Sequence, residues 1–158
     1  MKKGFTHISA TGLPKMVDVS GKKVTRRTAR AQASVLLGRE IISKMTGDEL
    51  ITRKGPVFQT AIVAGVMGAK RTAEIIPFCH SVGLEDCQVT ITVKGQRAII
   101  ESTATVTGKT GVEMEALTAV SVAALTVYDM CKALSHDIII DEIKLLEKTG
   151  GKSDFVRR

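Results

Sequence analysis

A chain of 158 residues has the length of one domain, and with 44% hydrophobic residues it can bury a core without disulfides or metals to brace it. Aromatic residues make up only 3% of the chain and Trp is absent, which counts against a protein that stacks on nucleic-acid bases. The net charge of +7 favours an anionic partner: nucleic acid, an acidic membrane surface or a phosphorylated small molecule.

The first third of the chain is predicted to form an arm and one helix. Residues 1–21 are polar and rich in glycine, and one short strand is predicted at 16–19. From Lys22 onwards, apolar residues recur at helical spacing opposite a set of arginines, which predicts a helix that ends at Gly47. The basic run 22–30 is typical of a solvated face, and it is also what a weak nucleic-acid binder shows.

A second helix and a hairpin are predicted next. Residues 57–74 have small apolar residues at helical spacing, and Pro77 prevents the helix from continuing. Residues 87–94 alternate between apolar and polar, which predicts a half-buried strand. A turn at Gly95 leads into a returning strand over 97–107.

The last third is predicted to hold a long helix over 112–134 and a strand over 136–147. The helix is small and apolar almost all round, which is typical of a buried helix, and we expect a second copy of the chain to help cover it. No run approaches ~18 apolar residues, so no transmembrane helix is predicted. The fold class is therefore α+β, a mainly antiparallel sheet covered by helices, in one domain over 1–158 with flexible ends at 1–15 and 150–158.

The few charges of the long helix lie at its two ends. Glu113 and Glu115 are in the first turn, where the helix dipole favours acids. Asp129 and Lys132 are three residues apart, so they can form an ion pair, or a proton-transfer pair in apolar surroundings. Glu115 and Asp129 are 14 residues and roughly 21 Å apart along the axis, so they require a long ligand, two separate sites, or a second subunit.

The turn before this helix contains Gly108-Lys109-Thr110, the last part of a P-loop motif. A P-loop requires GxxxxGK[ST], and Thr103 stands where the first glycine is needed. We therefore interpret the turn as the start of a helix, whose free amides can still bind an anion.

The cysteines and histidines do not have the spacing of a metal site. Cys79 and His80 are adjacent in a loop, and the other two histidines are far away in the sequence, so no zinc site is predicted. His80 can still bind a phosphate or a polar ligand. Three cysteines without a CxxC pair favour reduced thiols, and the N-terminus lacks the apolar segment of a secretory signal, so a cytoplasmic protein is expected.

Four strings carry a resemblance to a known family. They are MVDVS at 16–20, KRTAEIIPFCH at 70–80, TGKTGVEMEALTAVSVAALTVYDMCKAL at 107–134 and GGKS at 150–153. Together they resemble the cyclic pyranopterin monophosphate synthase family, which acts second in molybdenum cofactor biosynthesis. The resemblance runs over roughly residues 6–153.

The resemblance implies a ferredoxin-like sandwich that assembles as a homohexamer, a trimer of dimers, with sites at subunit interfaces. It implies a lyase that converts (8S)-3′,8-cyclo-7,8-dihydroguanosine 5′-triphosphate to cyclic pyranopterin monophosphate and releases pyrophosphate. No cofactor is implied, although Mg²⁺ can accompany the triphosphate, and neither nucleic acid nor a membrane is expected as a partner. The alternative is a non-catalytic basic module that binds nucleic acid through residues 22–30.

The resemblance also implies roles for individual residues. Asp129 is the expected catalytic acid/base, and Lys132 and Lys54 are the expected catalytic lysines. The residues expected to bind substrate are Phe78, Cys79, His80, Glu113, Met114 and Glu115. Further contacts to the triphosphate are expected from Lys70, Arg71 and Lys109.

Overall fold

The protein is built on a five-stranded antiparallel sheet. The computed structural model describes residues 15–158. From one edge to the other, the strands are Asp86–Lys94 (β5), Arg97–Gly108 (β6), Thr25–Leu36 (β1), Ile139–Thr149 (β7) and Phe155–Val156 (β8). A separate small sheet consists of Met45–Thr46 (β2), Glu49–Thr52 (β3) and Gly55–Pro56 (β4).

Two long helices, Val57–Lys70 (α2) and Glu113–Cys131 (α4), cover one face of the large sheet. The short helices Gly38–Ile42 (α1) and Thr72–Ile75 (α3) follow β1 and α2. The long elements occur in the order β1, α2, β5, β6, α4, β7. Strand β7 pairs with β1, which is the central strand of the sheet. This is the ferredoxin-like βαββαβ arrangement, so the predicted fold class is confirmed.

The helix predicted from Lys22 to Gly47 is wrong, because most of this segment is strand β1. Ala29, Ala31 and Val35 are almost completely buried and alternate with more exposed polar residues, as they do in a strand with one face on the core. Residues four positions apart lie on one face of a helix, and they also lie on one face of a strand, because every second residue of a strand points to the same side. The prediction followed the spacing of four and missed the alternation between them.

Most of the other predicted elements are confirmed. The 57–74 helix corresponds to α2 and α3, and the 87–94 and 97–107 strands correspond to β5 and β6. Gly95, in the turn between these strands, has a φ of +61°, which glycine adopts without strain. The 112–134 helix corresponds to the somewhat shorter α4.

The predictions for the ends of the chain have mixed outcomes. The 136–147 strand is confirmed as β7, although it begins and ends later. The short strand predicted at 16–19 is wrong, since these residues lie in a loop. The 150–158 segment was predicted to be flexible, yet it contains β8, which pairs with β7. The prediction for 1–15 lies outside the described residues, except for Lys15.

Helix α4 is the core helix of the fold. By length and composition alone it could cross a membrane, with a mean hydropathy of 1.3 over 18 residues, but 56% of that segment is buried inside the protein. Ala119 and Ala123 lie against Gly65 of α2, where an added Cβ would come within 2.9 Å of the carbonyl oxygen of Ala119. Small residues thus let the two helices pack closely.

Candidate functional site

The three predicted catalytic residues form one cluster at the C-terminal end of α4. Nζ of Lys54 donates to Oδ2 of Asp129 at 2.6 Å and to its backbone carbonyl at 3.1 Å. Nζ of Lys132 lies 2.8 Å from Oδ1 of the same carboxylate. Each of the two carboxylate oxygens of Asp129 therefore has its own ammonium partner.

Two separate parts of the fold bring the cluster together. Asp129 lies in the last turn of α4 and Lys132 is its C-cap residue, so their separation is set by the helix. Lys54 lies in the turn between β3 and β4, where its backbone amide donates to Oγ1 of Thr52. Gly55 completes this turn with a φ of +106°, a conformation that other residues rarely adopt.

The two lysines keep Asp129 ionised. Hydrogen bonds from Lys132 and Lys54 lower the pKa of Asp129 to about 2, and the carboxylate in turn raises the pKa of Lys132. All three side chains are about half exposed, so the apolar surroundings expected for the Asp129–Lys132 pair are not found in a single chain. Half-exposed ion pairs contribute little to stability, which favours a chemical role for the cluster over a structural one.

The six residues expected to bind substrate line one cavity at the other end of α4. The cavity measures about 390 Å³ and lies between the first turn of α4, the loop after α3 and the adjacent ends of β1 and β7. The predicted residues that line it are Phe78, Cys79, His80, Glu113, Met114 and Glu115. The six residues that the resemblance implied as substrate-binding thus share one cavity, and their contacts with a substrate stay predictions.

The two acids at the start of α4 have different environments. Glu113 forms an ion pair with Lys148 at 3.1 Å. Glu115 is only 3% exposed, and burial, with a smaller contribution from the charge of Glu113, raises its pKa, while a backbone hydrogen bond opposes the shift. Among residues 15–158 no salt bridge reaches Glu115, and a buried carboxyl in such a position is suited to accept hydrogen bonds from a ligand.

Cys79 and His80 contribute different groups to the cavity. Burial, followed by the charge of Glu115, raises the pKa of the Cys79 thiol, so this thiol is not an activated nucleophile. Nε2 of His80 lies 2.7 Å from the carbonyl oxygen of Val17. Because a carbonyl can only accept, Nε2 carries the hydrogen of this bond, and in a neutral imidazole Nδ1 is then an acceptor.

Four basic residues of the cavity were not among the predicted site residues. Lys22 lies just before β1 and Arg27 at its start, while Lys148 lies at the end of β7 and Lys152 in the segment that follows it. The basic run and the GGKS string were visible in the sequence. Their convergence was not, because it depends on the pairing of β1 with β7 across more than 100 residues of chain.

The three residues expected to contact the triphosphate lie outside this cavity. Nζ of Lys109 donates to the carbonyl of Ser20 at 2.6 Å and lines a smaller neighbouring cavity of about 210 Å³, which shares His80 with the first. Lys70 and Arg71 are exposed at the end of α2, and within residues 15–158 neither of them lines either cavity. Their contacts with a triphosphate remain predictions.

Comparison with known proteins identifies the family. A family model described as MoaC family matches residues 16–151, which is most of the chain.

The chain belongs to the MoaC family.

The relatives within the MoaC family differ in length. The chain is 48% identical to the cyclic pyranopterin monophosphate synthase of Peptoclostridium acidaminophilum, over 98% of this chain and 97% of that protein. It is 53% identical to molybdenum cofactor biosynthesis protein 1 of Drosophila melanogaster and 48% identical to the molybdenum cofactor biosynthesis bifunctional protein of Synechocystis. These matches span 97% and 95% of this chain, but only 27% and 45% of the two longer proteins.

Proposed function

We propose that this MoaC-family chain is a lyase of molybdenum cofactor biosynthesis that acts on (8S)-3′,8-cyclo-7,8-dihydroguanosine 5′-triphosphate. The products are cyclic pyranopterin monophosphate and pyrophosphate. The observation that carries the proposal is the cluster of Lys54, Asp129 and Lys132, in a chain that is 48% identical to a protein named for this product. This cluster supplies one proton acceptor, the Asp129 carboxylate, and two proton donors, the lysine ammonium groups, without a metal.

The cavity suits the charge of the proposed substrate. Closing the cyclic phosphate requires a sugar hydroxyl to attack the α-phosphorus and pyrophosphate to leave, so the site must bind a polyanion and stabilise charge on the leaving group. Lys22, Arg27 and Lys152 line the cavity and are suited to these phosphates. Glu115 and His80 are suited to the hydrogen-bonding groups of the guanine-derived ring.

The separation of the cluster from the cavity supports the proposed homohexamer, a trimer of dimers. Asp129 and Glu115 are roughly 21 Å apart along α4, too far to act on one small molecule within a chain. Val63, Met67 and Leu125 are large apolar residues of α2 and α4 that remain 48–61% exposed, as expected for helices that a second copy covers. A composite site then takes its cluster from one subunit and its cavity from another.

Turnover of the substrate tests the function directly. Incubation of the protein with the cyclised guanosine triphosphate should release pyrophosphate, measured as phosphate after coupling to an inorganic pyrophosphatase. Asp129→Asn and Lys54→Ala should each lower turnover by at least ~100-fold and keep a thermal midpoint close to that of the wild type. Lys44→Ala removes another exposed lysine and is the matched control, which should retain activity. A folded Asp129→Asn variant with normal turnover removes Asp129 from the mechanism.

Mixing two inactive variants tests the composite site. When Asp129→Asn chains and Glu115→Gln chains are unfolded and refolded together, about a quarter of the sites should combine an intact cluster with an intact cavity. Activity should therefore return to about a quarter of the wild-type value, with light scattering giving the mass of six chains. A mixture that stays as inactive as its components shows that both ends of each site come from one chain.

The remaining properties are proposals with narrower support. Three free cysteines are consistent with a cytoplasmic location. No resident cofactor is proposed, and Mg²⁺ can arrive with the triphosphate.

The alternative, a nucleic-acid-binding module, is not favoured by the structure. Arg27 lines the cavity, and Arg30 lies 3.5 Å from both Glu101 and Glu147, so the basic run does not form one free face. Tight oligonucleotide binding with a steep salt dependence supports the alternative, and its absence supports the lyase.

A further inference from the structure

The side chain of Glu49 joins the small sheet to the start of helix α2. Its Oε1 accepts hydrogen bonds from the backbone amides of Phe58 and Leu50, both at 2.8 Å, and its Oε2 accepts one from the amide of Gln59 at 3.1 Å. Phe58 and Gln59 are the second and third residues of α2, whose amides have no partner within the helix. One carboxylate therefore satisfies two free amides of the helix and one of its own strand.

Helix α2 has no local residue that could replace this cap. Its N-cap residue is Pro56, which has no side-chain acceptor, and no acidic residue lies in its first turn. The negative charge of Glu49 also lies at the positive end of the helix dipole. The cap is thus supplied by a residue that precedes the helix by eight positions and belongs to another element.

The same strand ends at the catalytic cluster. Glu49 is the first residue of β3, Leu50 beside it is completely buried, and the turn after β3 carries Lys54. The last residue of β3, Thr52, accepts the amide hydrogen bond of Lys54 through its Oγ1. One end of this four-residue strand is therefore attached to α2, and the other end presents Lys54 to Asp129.

We propose that Glu49 is a positioning residue for Lys54: by capping α2 it fixes the β3–β4 turn and holds the Lys54 ammonium on the Asp129 carboxylate. Lys54 is on an exposed turn with a long flexible side chain, and it meets Asp129 only if the turn keeps its place relative to α4. Without the cap, β3 remains attached through Leu50, but its tilt relative to the two helices is less constrained. The catalytic consequence rests on the proposed function, whereas the positioning itself does not.

Titration of Asp129 measures the positioning without any substrate. Because the hydrogen bond from Lys54 is one of the two that lower the pKa of Asp129, loss of this contact should raise that pKa towards its ordinary value. The side-chain carboxyl signal can be followed by NMR against pH and assigned from its absence in Asp129→Asn. Lys54→Ala gives the full shift, and Glu49→Ala should give a shift in the same direction that approaches it.

Kinetics measure the consequence for catalysis. Glu49→Ala should lower kcat by about 10- to 100-fold, with a smaller change in KM, since the cavity that holds the substrate is not attached to β3. Glu49→Gln keeps one oxygen acceptor without the charge and should be intermediate in both kcat and the pKa of Asp129. If Glu49→Ala does not fold, Glu49→Gln is used for both measurements instead.

Asp48→Asn is the matched control. Asp48 is the exposed acid in the turn just before β3, so this variant removes the same charge one position away and leaves the cap in place. It should match the wild type in both measurements. If a folded Glu49→Ala or Glu49→Gln variant loses thermal stability but keeps the wild-type kcat and pKa of Asp129, Glu49 is only a helix cap and the proposal is wrong. If Lys54→Ala retains full turnover while Glu49→Ala still raises the pKa of Asp129, the positioning stands and the catalytic role of Lys54 fails.

Discussion

Replacement of Gly150 by alanine should damage the cavity from a position that does not line it. Gly150 connects β7 to the segment before β8, with a φ of +79°, and its carbonyl accepts a hydrogen bond from Oγ1 of Thr25 at 2.7 Å. A Cβ at this position would overlap the carbonyl oxygen of Arg26 on the neighbouring strand. The backbone of Gly150 must therefore move, or β1 must.

The expected loss of unfolding free energy is the sum of three contributions. A non-glycine residue in the left-handed region costs about 1–2 kcal/mol. The overlap with a backbone atom of a central strand adds about 1–3 kcal/mol, because neither strand can yield freely. The lower entropy of the unfolded chain with alanine returns about 0.4–1 kcal/mol. The net loss of unfolding free energy is about 1–5 kcal/mol, which for a chain of this length lowers the thermal midpoint by roughly 2–20 °C.

Gly151→Ala is the matched control one residue later. Its φ is not in the left-handed region, and an added Cβ would meet only the end of the flexible Arg27 side chain, at 3.4 Å. Thermal unfolding of the two variants should therefore differ by most of the predicted shift. Gly150→Ala should also raise KM about tenfold, because Lys148 and Lys152 are carried on the displaced segment. Equal midpoints for the two variants refute the reasoning.

Three further predictions concern charge. Burial raises the pKa of Glu115, so the stability that depends on its protonated form is lost as pH rises through that pKa. Glu115→Gln should therefore raise the thermal midpoint at pH 7. Glu113→Gln, which breaks an ion pair, should not raise it. The lowered pKa of Asp129 implies a contribution to stability that is small, because the ion pairs are half exposed, and that is lost between about pH 4 and pH 2; acid unfolding of Asp129→Asn should lack this small part. Lys152→Ala should raise KM about tenfold and leave kcat nearly unchanged, and an unchanged KM contradicts its assignment to the phosphates.

The sequence allowed prediction of the elements whose period was unambiguous. The hairpin of β5 and β6 has strict alternation and a glycine turn, and α4 is too long and too uniformly apolar to be a strand. Strand β1 was wrongly predicted as a helix, because alanine has a low strand preference and the spacing of four residues between its apolar positions also fits a helix. The correct signal was Ala31, which fills the position between Ala29 and Ala33.

The site could be predicted only in part, for a physical reason. The ion pair of Asp129 and Lys132 was predicted correctly from their spacing of three residues, whereas Cys79 and His80 were assigned to one site by the resemblance to a family. The contact of Lys54 with Asp129 joins residues 75 positions apart, and only the resemblance to a family suggested it. The cations of the cavity depend on strand pairing and on a glycine turn, neither of which has a periodic signature.

The pairing of β7 beside β1 also determines when the cavity can exist during folding. Thr28 meets Thr149 across 121 residues of chain, and contacts of such long range form late because a large loop must be closed first. Lys22 and Arg27 therefore stay apart from Lys148 and Lys152 until β7 docks beside β1. On a ribosome, this means that the chain cannot hold the proposed triphosphate before residues 139–152 emerge, whatever helices have already formed. Substrate binding is thus a sensitive report of complete folding, more so than helix content or burial of α4.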